Sequence, residues 1–342
     1  MQHVAIDLGG KESWICVRSE TGKILEEVPY RTANLAKYLR RQPPSRVVLE
    51  TCSEAFHVAD AALESKHEVR VVPATLVRTL GVGSRRTKTD RRDAQILSEV
   101  SCRIDLPSVH VPARQTRERR SMCAIREQLG TSRTALINSA RGWARQFGVK
   151  ILSVASANFP NRMRKAALKA PDGFPEYVER ILVVIDTLNT QIAAADDELH
   201  RLAKHDPICA RLMTVPGVGP LTSLRFVAAV DDVQRFSNAH SVAAYLGLTP
   251  GEHSSSLRKR RTSITKAGPA AVRRVLILAS WGFKRARPLD PATQWAKGIE
   301  ERRGKYVATV ALARKLSGIL YAIWRDGSQY EPQHQRRRQR EE

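Results

Sequence analysis

The chain has 342 residues, 42% of them apolar, with 57 Lys and Arg against 34 Asp and Glu, a formal net charge of +23. That length and apolar content suit two or three domains with cores of their own and exclude a wholly disordered chain. The start, MQHVAIDLGG, has no basic segment leading into an apolar stretch, no run approaches the ~18 apolar residues of a membrane span, and Cys16, Cys52, Cys102, Cys123 and Cys209 show no C-x-x-C spacing. A secretory leader, a membrane anchor, a disulfide framework and a zinc site are therefore not expected, and a reducing cytoplasm is the expected setting.

In chain order, His3–Asp7, Trp14–Arg18 and Ile24–Pro29 are short apolar or alternating runs divided by Gly9-Gly10 and Thr21-Gly22, which predicts a three-strand meander. Ala33–Arg41 predicts a helix stopped by Pro43-Pro44, Arg46–Glu50 a buried strand, Ala55–Ser65 a helix and Glu68–Val72 another strand. Three strands, helix, strand, helix, strand is the order of an α/β ribonuclease H-like fold, expected over residues 1–110. Residues 111–205 predict a helical region. Ile125, Leu129, Leu136, Ala140, Trp143 and Phe147 recur at helical intervals, and Val178, Ile181, Ile185, Leu188, Ile192, Ala195, Leu199 and Leu202 form a heptad seam. Such a seam needs a facing helix, either the preceding one or another subunit's copy. Asp206-Pro207 ends it. Residues 206–326 read as all helical, and the Arg-rich tail 327–342 as disordered.

The charge is concentrated. Ser255 to Leu289 holds ten Lys or Arg and no acid, and Arg114 to Arg145 holds eight Arg against Glu118 and Glu127. Clustered cations gain free energy by releasing counterions from a polyphosphate, so nucleic acid is the expected partner class.

Four acids stand where a metal site would use them. Asp7 ends the first strand, Glu50 ends the strand RVVLE, and Asp90 and Asp93 open an apolar-periodic helix, three apart and so on one face. Hard carboxylate oxygens suit Mg²⁺ or Mn²⁺, ions that in phosphodiester chemistry assist both the attacking and the leaving oxygen. Singly, each acid could equally be a turn cap, a helix cap or a surface charge. Arg85, Arg86, Lys88, Arg91 and Arg92 would add phosphate-contacting charge beside them. Later, Gly217 and Gly219 in VPGVGP permit a tight turn that offers backbone N–H groups to a phosphate, although an ordinary helix–helix turn reads the same. In GEHSSSLRKRRTSITKAG, three serines precede Arg258, Lys259, Arg260, Arg261 and Lys266. By composition this is a flexible basic loop; its functional alternative is a nucleophilic serine with arginines stabilising phosphate charge, and His253 the nearby candidate base.

IDLGGK, LETC, KTDRRDA, VPGVGP and YLGLTPGEHSSSLRKRRTSITKAG, in this order, resemble the DEDD transposases of the insertion-sequence 110 and 1111 families over nearly the whole chain. The resemblance implies a RuvC-like N-terminal domain with Asp7, Glu50, Asp90 and Asp93 as its four acids, a coiled-coil insertion, and a C-terminal transposase domain with a catalytic serine. Counting from Pro250 of the GLxP motif gives Ser255, with Ser254 as its neighbour and rival; Ser256 and Thr262 stand where the family has glycines. It also implies donor and target DNA, a noncoding guide RNA, and a homo-oligomer, dimer or tetramer. Rival readings are a RuvC-like junction nuclease that uses water in place of Ser255, a nonenzymatic nucleic-acid-binding protein, and an actin-like sugar kinase. IDLGG resembles the phosphate loop of the last, but no second nucleotide-binding glycine loop follows Glu50.

Overall fold

The structure, a computed structural model, describes residues 1–79, 89–168, 175–255 and 258–332, and only the backbone at 78, 79, 253–255 and 258–261. It forms two compact units, Met1–Pro112 and Ala113 onward. Arg85, Arg86, Lys88 and residues 333–342 of the expected disordered tail lie outside the described residues, whereas the start of that tail is ordered, with Tyr330 donating to Asp290 at 2.6 Å.

The first unit is a five-stranded mixed sheet built from β1 (His3–Asp7), β2 (Glu12–Arg18), β3 (Ile24–Arg31), β4 (Arg46–Glu50) and β5 (Glu68–Val72). Its order is β3-β2-β1-β4-β5; the first three strands run antiparallel, and β4 and β5 are parallel to β1. Alternation along each strand divides its side chains between two faces. Val4, Ile6, Ile15, Val17, Val47 and Leu49 pack against Leu35 and Leu39 of α1 (Leu35–Leu39) and Val58 and Ala62 of α2 (Ala55–Glu64). Ala5, Val48 and Val72 face the other way, with Val77 of α3 (Ala74–Thr79) and Leu97 of α4 (Asp90–Arg103). Burial on both faces is why β1 and β4 read as nearly continuous apolar runs.

The second unit is mostly helical. Its long helices α5 (Arg114–Gln146) and α7 (Glu176–His205) pack as an antiparallel pair, with the short α6 (Phe159–Ala167) against their far end. Arg119 binds Asp206 at 2.5 Å, Arg126 binds Asp196 at 2.6 Å and Arg133 donates to Asn189 at 3.0 Å, so one helix descends as the other rises. The helix facing the heptad seam is thus α5 of the same chain. Asp206 ends α7 and caps α8 (Pro207–Leu212), accepting from the backbone N–H groups of Ile208 and Cys209. α9 (Pro220–Val230) is buried from Thr222 to Val230, at the centre of a core that also takes Leu199, Leu276 and Phe283.

α10 (Ala239–Tyr245), α11 (Ala270–Ala286), α12 (Pro291–Arg303) and α13 (Lys305–Asp326) complete this unit. Among the described residues α13 alone is long and apolar enough to cross a membrane, but half of that stretch is buried, and Leu312, Leu316 and Leu320 are core. The thiols are free; Cys209 lies in the core, and burial pushes it up to about 12.

The all-helical expectation for residues 206–326 is corrected by a two-stranded antiparallel ribbon, β6 (Pro250–Ser255) and β7 (Arg258–Ile264). The segment that composition assigns to a flexible loop is this ribbon. A two-stranded ribbon is held by its backbone ladder and need not bury a face, so it leaves no period-two apolar pattern in the sequence.

Candidate active site

Asp7 and Glu50 sit at the carboxyl ends of adjacent parallel strands: Ile6 pairs with Leu49, so the next residues are neighbours across the ladder. Alternation puts both on the face of Ala5 and Val48, the face that α4 covers. α4 runs antiparallel to β1. His3, at the start of β1, bonds Ser101 at 2.8 Å, and Arg18, its partner on β2, donates to Ser98 at 3.0 Å. From Ser101 back to Asp93 the helix covers about 12 Å at ~1.5 Å per residue, and from His3 to Asp7 the strand covers about 13 Å at ~3.3 Å per residue. The first turn of α4 therefore lies at the level of Asp7. Arg91 confirms the level: its guanidinium is 6.0 Å from the ring centroid of Trp14, which pairs with Asp7.

In that first turn Asp93 is 5% exposed, whereas Asp90 is exposed. Three of the four acids thus share one end of one sheet face, and Asp90 borders it from the solvent side. Among the described residues no three His, Cys, Asp or Glu side chains come together closely enough to hold a metal ion. The donor chemistry nonetheless fits a hard divalent cation, since these acids offer only carboxylate oxygen. Arg91, expected on a phosphate, donates to Glu27 at 2.7 Å and holds that carboxyl below the usual carboxylate range. The turn after Asp7 is tightly built. Thr32 Oγ1 donates to the Gly9 carbonyl at 2.6 Å, and a Cβ at Gly9 would lie 2.2 Å from the Glu12 carbonyl.

In the second unit, register places Ser255 opposite Arg258 and Ser254 opposite Lys259, with His253 opposite Arg260 and Glu252 opposite Arg261. The feet of the ribbon are stitched together. Thr265 N–H donates to Thr249 at 2.9 Å, and Lys266 N–H to Gly247 at 3.2 Å. Gly247 and Gly268 both have positive φ, and a Cβ at either would lie 2.1 Å from a backbone carbonyl across the junction. Arg273 of α11, 9% exposed, locks this junction by donating to the carbonyls of Leu246 (3.1 Å), Ala267 (2.5 Å) and Gly268 (3.0 Å). Sequence reasoning counted Arg273 as surface charge. The signal that could have found it is the pair of glycines, Gly247 and Gly268, flanking the ribbon.

The other basic patch is also partly internal. Arg119, Arg126 and Arg133 tie α5 to α7 from its last residues back to its middle, Arg120 donates to the Ala228 carbonyl at 2.7 Å, and Arg141 stacks on Phe159. Arg225 and Arg274 both pair with Glu127. Charge read as a phosphate-binding surface is here spent on joining helices. Lys266, by contrast, is exposed.

The glycine turn divides its roles. Gly219 is the N-cap of α9 with open space at its Cβ position, while Gly217, at φ +81°, lies against the α11 backbone. A Cβ at 217 would be 2.5 Å from the Ala279 carbonyl and 2.6 Å from the Phe283 nitrogen. Helix packing by itself therefore accounts for Gly217. Gly217→Ala is expected to cost at least ~2 kcal/mol through overpacking and positive φ, measured as a lower urea midpoint; Gly219→Ala, with open space, is expected to cost less than half of that.

Comparison with known proteins places these features. Residues 4–148 match the family model of DEDD transposases of the IS110 kind, and residues 209–293 match the transposase family IS116/IS110/IS902. A probable family 20 transposase of Pseudomonas aeruginosa is 29% identical over 88% of this chain and 90% of its own length. The transposase of insertion sequence IS1111A from Coxiella burnetii is 28% identical over 94% of this chain and 88% of its own. The pilin gene-inverting protein of Moraxella bovis is 24% identical over 80% and 78%. The first match contains all four acids and the second contains the glycine turn, the ribbon and Arg273; the chain belongs to the IS110-type DEDD transposases and is a DNA transposase.

Proposed function

We propose that the chain excises and inserts its own insertion sequence by serine-mediated strand exchange assisted by a divalent metal. The carrying observation is the placement of Asp7, Glu50 and Asp93 at one end of one face of a sheet whose order we read as ribonuclease H-like, or RuvC-like. Asp7, Glu50 and Asp93, with Asp90 at the rim, would hold Mg²⁺ or Mn²⁺, which when bound supplies charge stabilisation to phosphate oxygens. Ser255 is the nucleophile. Its hydroxyl gives up its proton as its oxygen bonds to phosphorus, the bond from phosphorus to one sugar oxygen breaks, and that oxygen takes up a proton to become a free sugar hydroxyl. Attack by a hydroxyl of the exchanged strand then restores the DNA and releases the serine, so no bond energy is lost to hydrolysis. Arg258 and Lys259, in register with the two serines, and Arg260 and Arg261, which follow them on the same strand, would neutralise the phosphate. Gly219, at the start of α9, and Lys266 would hold backbone phosphates, as would Arg85, Arg86 and Lys88.

A relative that inverts a gene supports recombination over simple cutting. Joining several DNA ends calls for more than one copy, a dimer or tetramer. The surplus of cations is compatible with a noncoding guide RNA that reads donor and target by base pairing. The test is a trapped covalent adduct between the chain and a DNA substrate. It is expected to vanish in Ser255→Ala and persist in Ser254→Ala. Recombination at the wild-type rate in Ser255→Ala would overturn the serine assignment and favour a water-using nuclease.

A further inference from the structure

A cleft of about 1100 Å³ opens on the second unit between α10, the foot of the β6–β7 ribbon, and the facing turns of α12 and α13. Two kinds of chemistry line it. Trp295 on α12 and Tyr306 at the start of α13 are 44% and 82% exposed. Around them stand His240, Arg303, Arg314 and Lys315, and no Asp or Glu is among the described lining residues. The Lys315 ammonium lies 4.8 Å from the Trp295 ring centroid, and Arg314 donates to His240 Nδ1 at 3.1 Å. Tyr306 is not packed into the core, which α13 builds with Leu312, Leu316 and Leu320.

Exposed aromatic side chains among cations, with no acid among the described lining residues, match a single strand of nucleic acid: bases stack on the rings and phosphates meet the ammonium and guanidinium groups. A duplex hides its base faces and would leave the rings unused. We propose that this cleft holds an unpaired stretch of DNA, its bases against Trp295 and Tyr306 and its phosphates on Arg303, Arg314 and Lys315. Pro250 and Thr262, at the foot of the ribbon, line the same cleft. Ser255 is five residues beyond Pro250 along β6, about 17 Å at ~3.4 Å per residue. A strand leaving the cleft along the ribbon would run toward it. The inference rests on the chain's action on DNA and is independent of the serine and metal assignments.

The test uses the full chain in EDTA at fixed salt, with fluorescent fifteen-nucleotide oligo(dT) and a duplex of equal length. Tyr306→Ala and Trp295→Ala are each expected to weaken oligo(dT) binding about tenfold, the effect of one stacked base, with duplex binding within twofold of wild type. Tyr306→Phe, which keeps the ring, is expected to bind as wild type, and an abasic oligonucleotide to bind wild type at least tenfold more weakly than oligo(dT). Because Tyr306 is so exposed, its loss cannot be mistaken for unfolding. Ser255→Ala and Asp7→Asn should leave oligo(dT) binding unchanged, so failure of the catalytic reading is seen separately. Equal losses on single strand and duplex, or no loss, would overturn the proposal. So would preference for oligo(rU) over oligo(dT), or a smaller species in sedimentation for Tyr306→Ala, which would reassign the cleft to RNA or to a second copy.

Discussion

Asp93→Asn is expected to lower DNA cleavage by at least ~10³-fold while the first unit stays folded. The amide keeps the shape of the buried side chain and removes the charge that a divalent cation needs. Electrostatic assistance of this kind supplies several kcal/mol, and ~4 kcal/mol corresponds to about three decades in rate. Asp7→Asn and Glu50→Gln are expected to match it, because all three acids occupy the same end of the sheet. Stability measured in EDTA is expected to stay within roughly 1 kcal/mol of wild type for Asp93→Asn, and added Mg²⁺ to raise the melting temperature of wild type more than that of the variant. DNA binding is expected to persist, which separates this reading from a nonenzymatic binding protein. Cleavage above about a tenth of wild type in Asp93→Asn would remove Asp93 from the metal set, whatever the other acids do.

Arg273→Ala is expected to have the largest effect on the second unit without touching any candidate catalytic group. One guanidinium nitrogen serves three carbonyls from both feet of the ribbon. Its removal leaves these partly buried acceptors without that donor, and hydrogen bonds to charged groups contribute about 1.5–3 kcal/mol each before solvent replaces any of them. A net loss of about 3 kcal/mol is expected, which for a unit of this size lowers the melting temperature by roughly 6–12 °C. Arg273→Lys is expected to recover only part of this, since its ammonium can donate to several carbonyls but sits on a shorter, more flexible stem. Strand exchange should fall in both variants at temperatures well below their melting points, because the ribbon carrying Ser255 loses the brace at its base. A fall of less than about 2 °C for Arg273→Ala would show that backbone pairing at 247–249 and 265–266 holds the ribbon unaided.

Much of the first unit was legible in the residue order. β1, β4 and β5 form with the expected bounds: the first two because strands buried on both faces must be short apolar runs, and β5, at the sheet edge, through its closing valines. Asp7 and Glu50 were picked out for the same reason, as carboxylates closing such a run, and Asp90 and Asp93 by their spacing at the start of a helix. The long helices α5 and α7 were likewise announced by their apolar spacing. The family itself could be recognised from five short motifs, and the matched stretches 4–148 and 209–293 contain them.

What the residue order could not assign is which charge or glycine serves the surface and which serves the interior. Arg119, Arg126, Arg225 and Arg273 have the same formal charge as Lys266, yet the first four are engaged by Asp206, Asp196, Glu127 and backbone carbonyls, and only Lys266 faces solvent. Partners distant in sequence decide this, and they become neighbours only once the helices pack. Gly217 and Gly219 differ in the same way, by the approach of α11 to one of them. The sequence by itself therefore determined β1, β4, β5, the long helices and the family, since these depend on local pattern. Tertiary structure decided the ribbon, the facing of α5 on α7 and the division of the arginines, since these depend on backbone pairing and on contacts between segments dozens of residues apart.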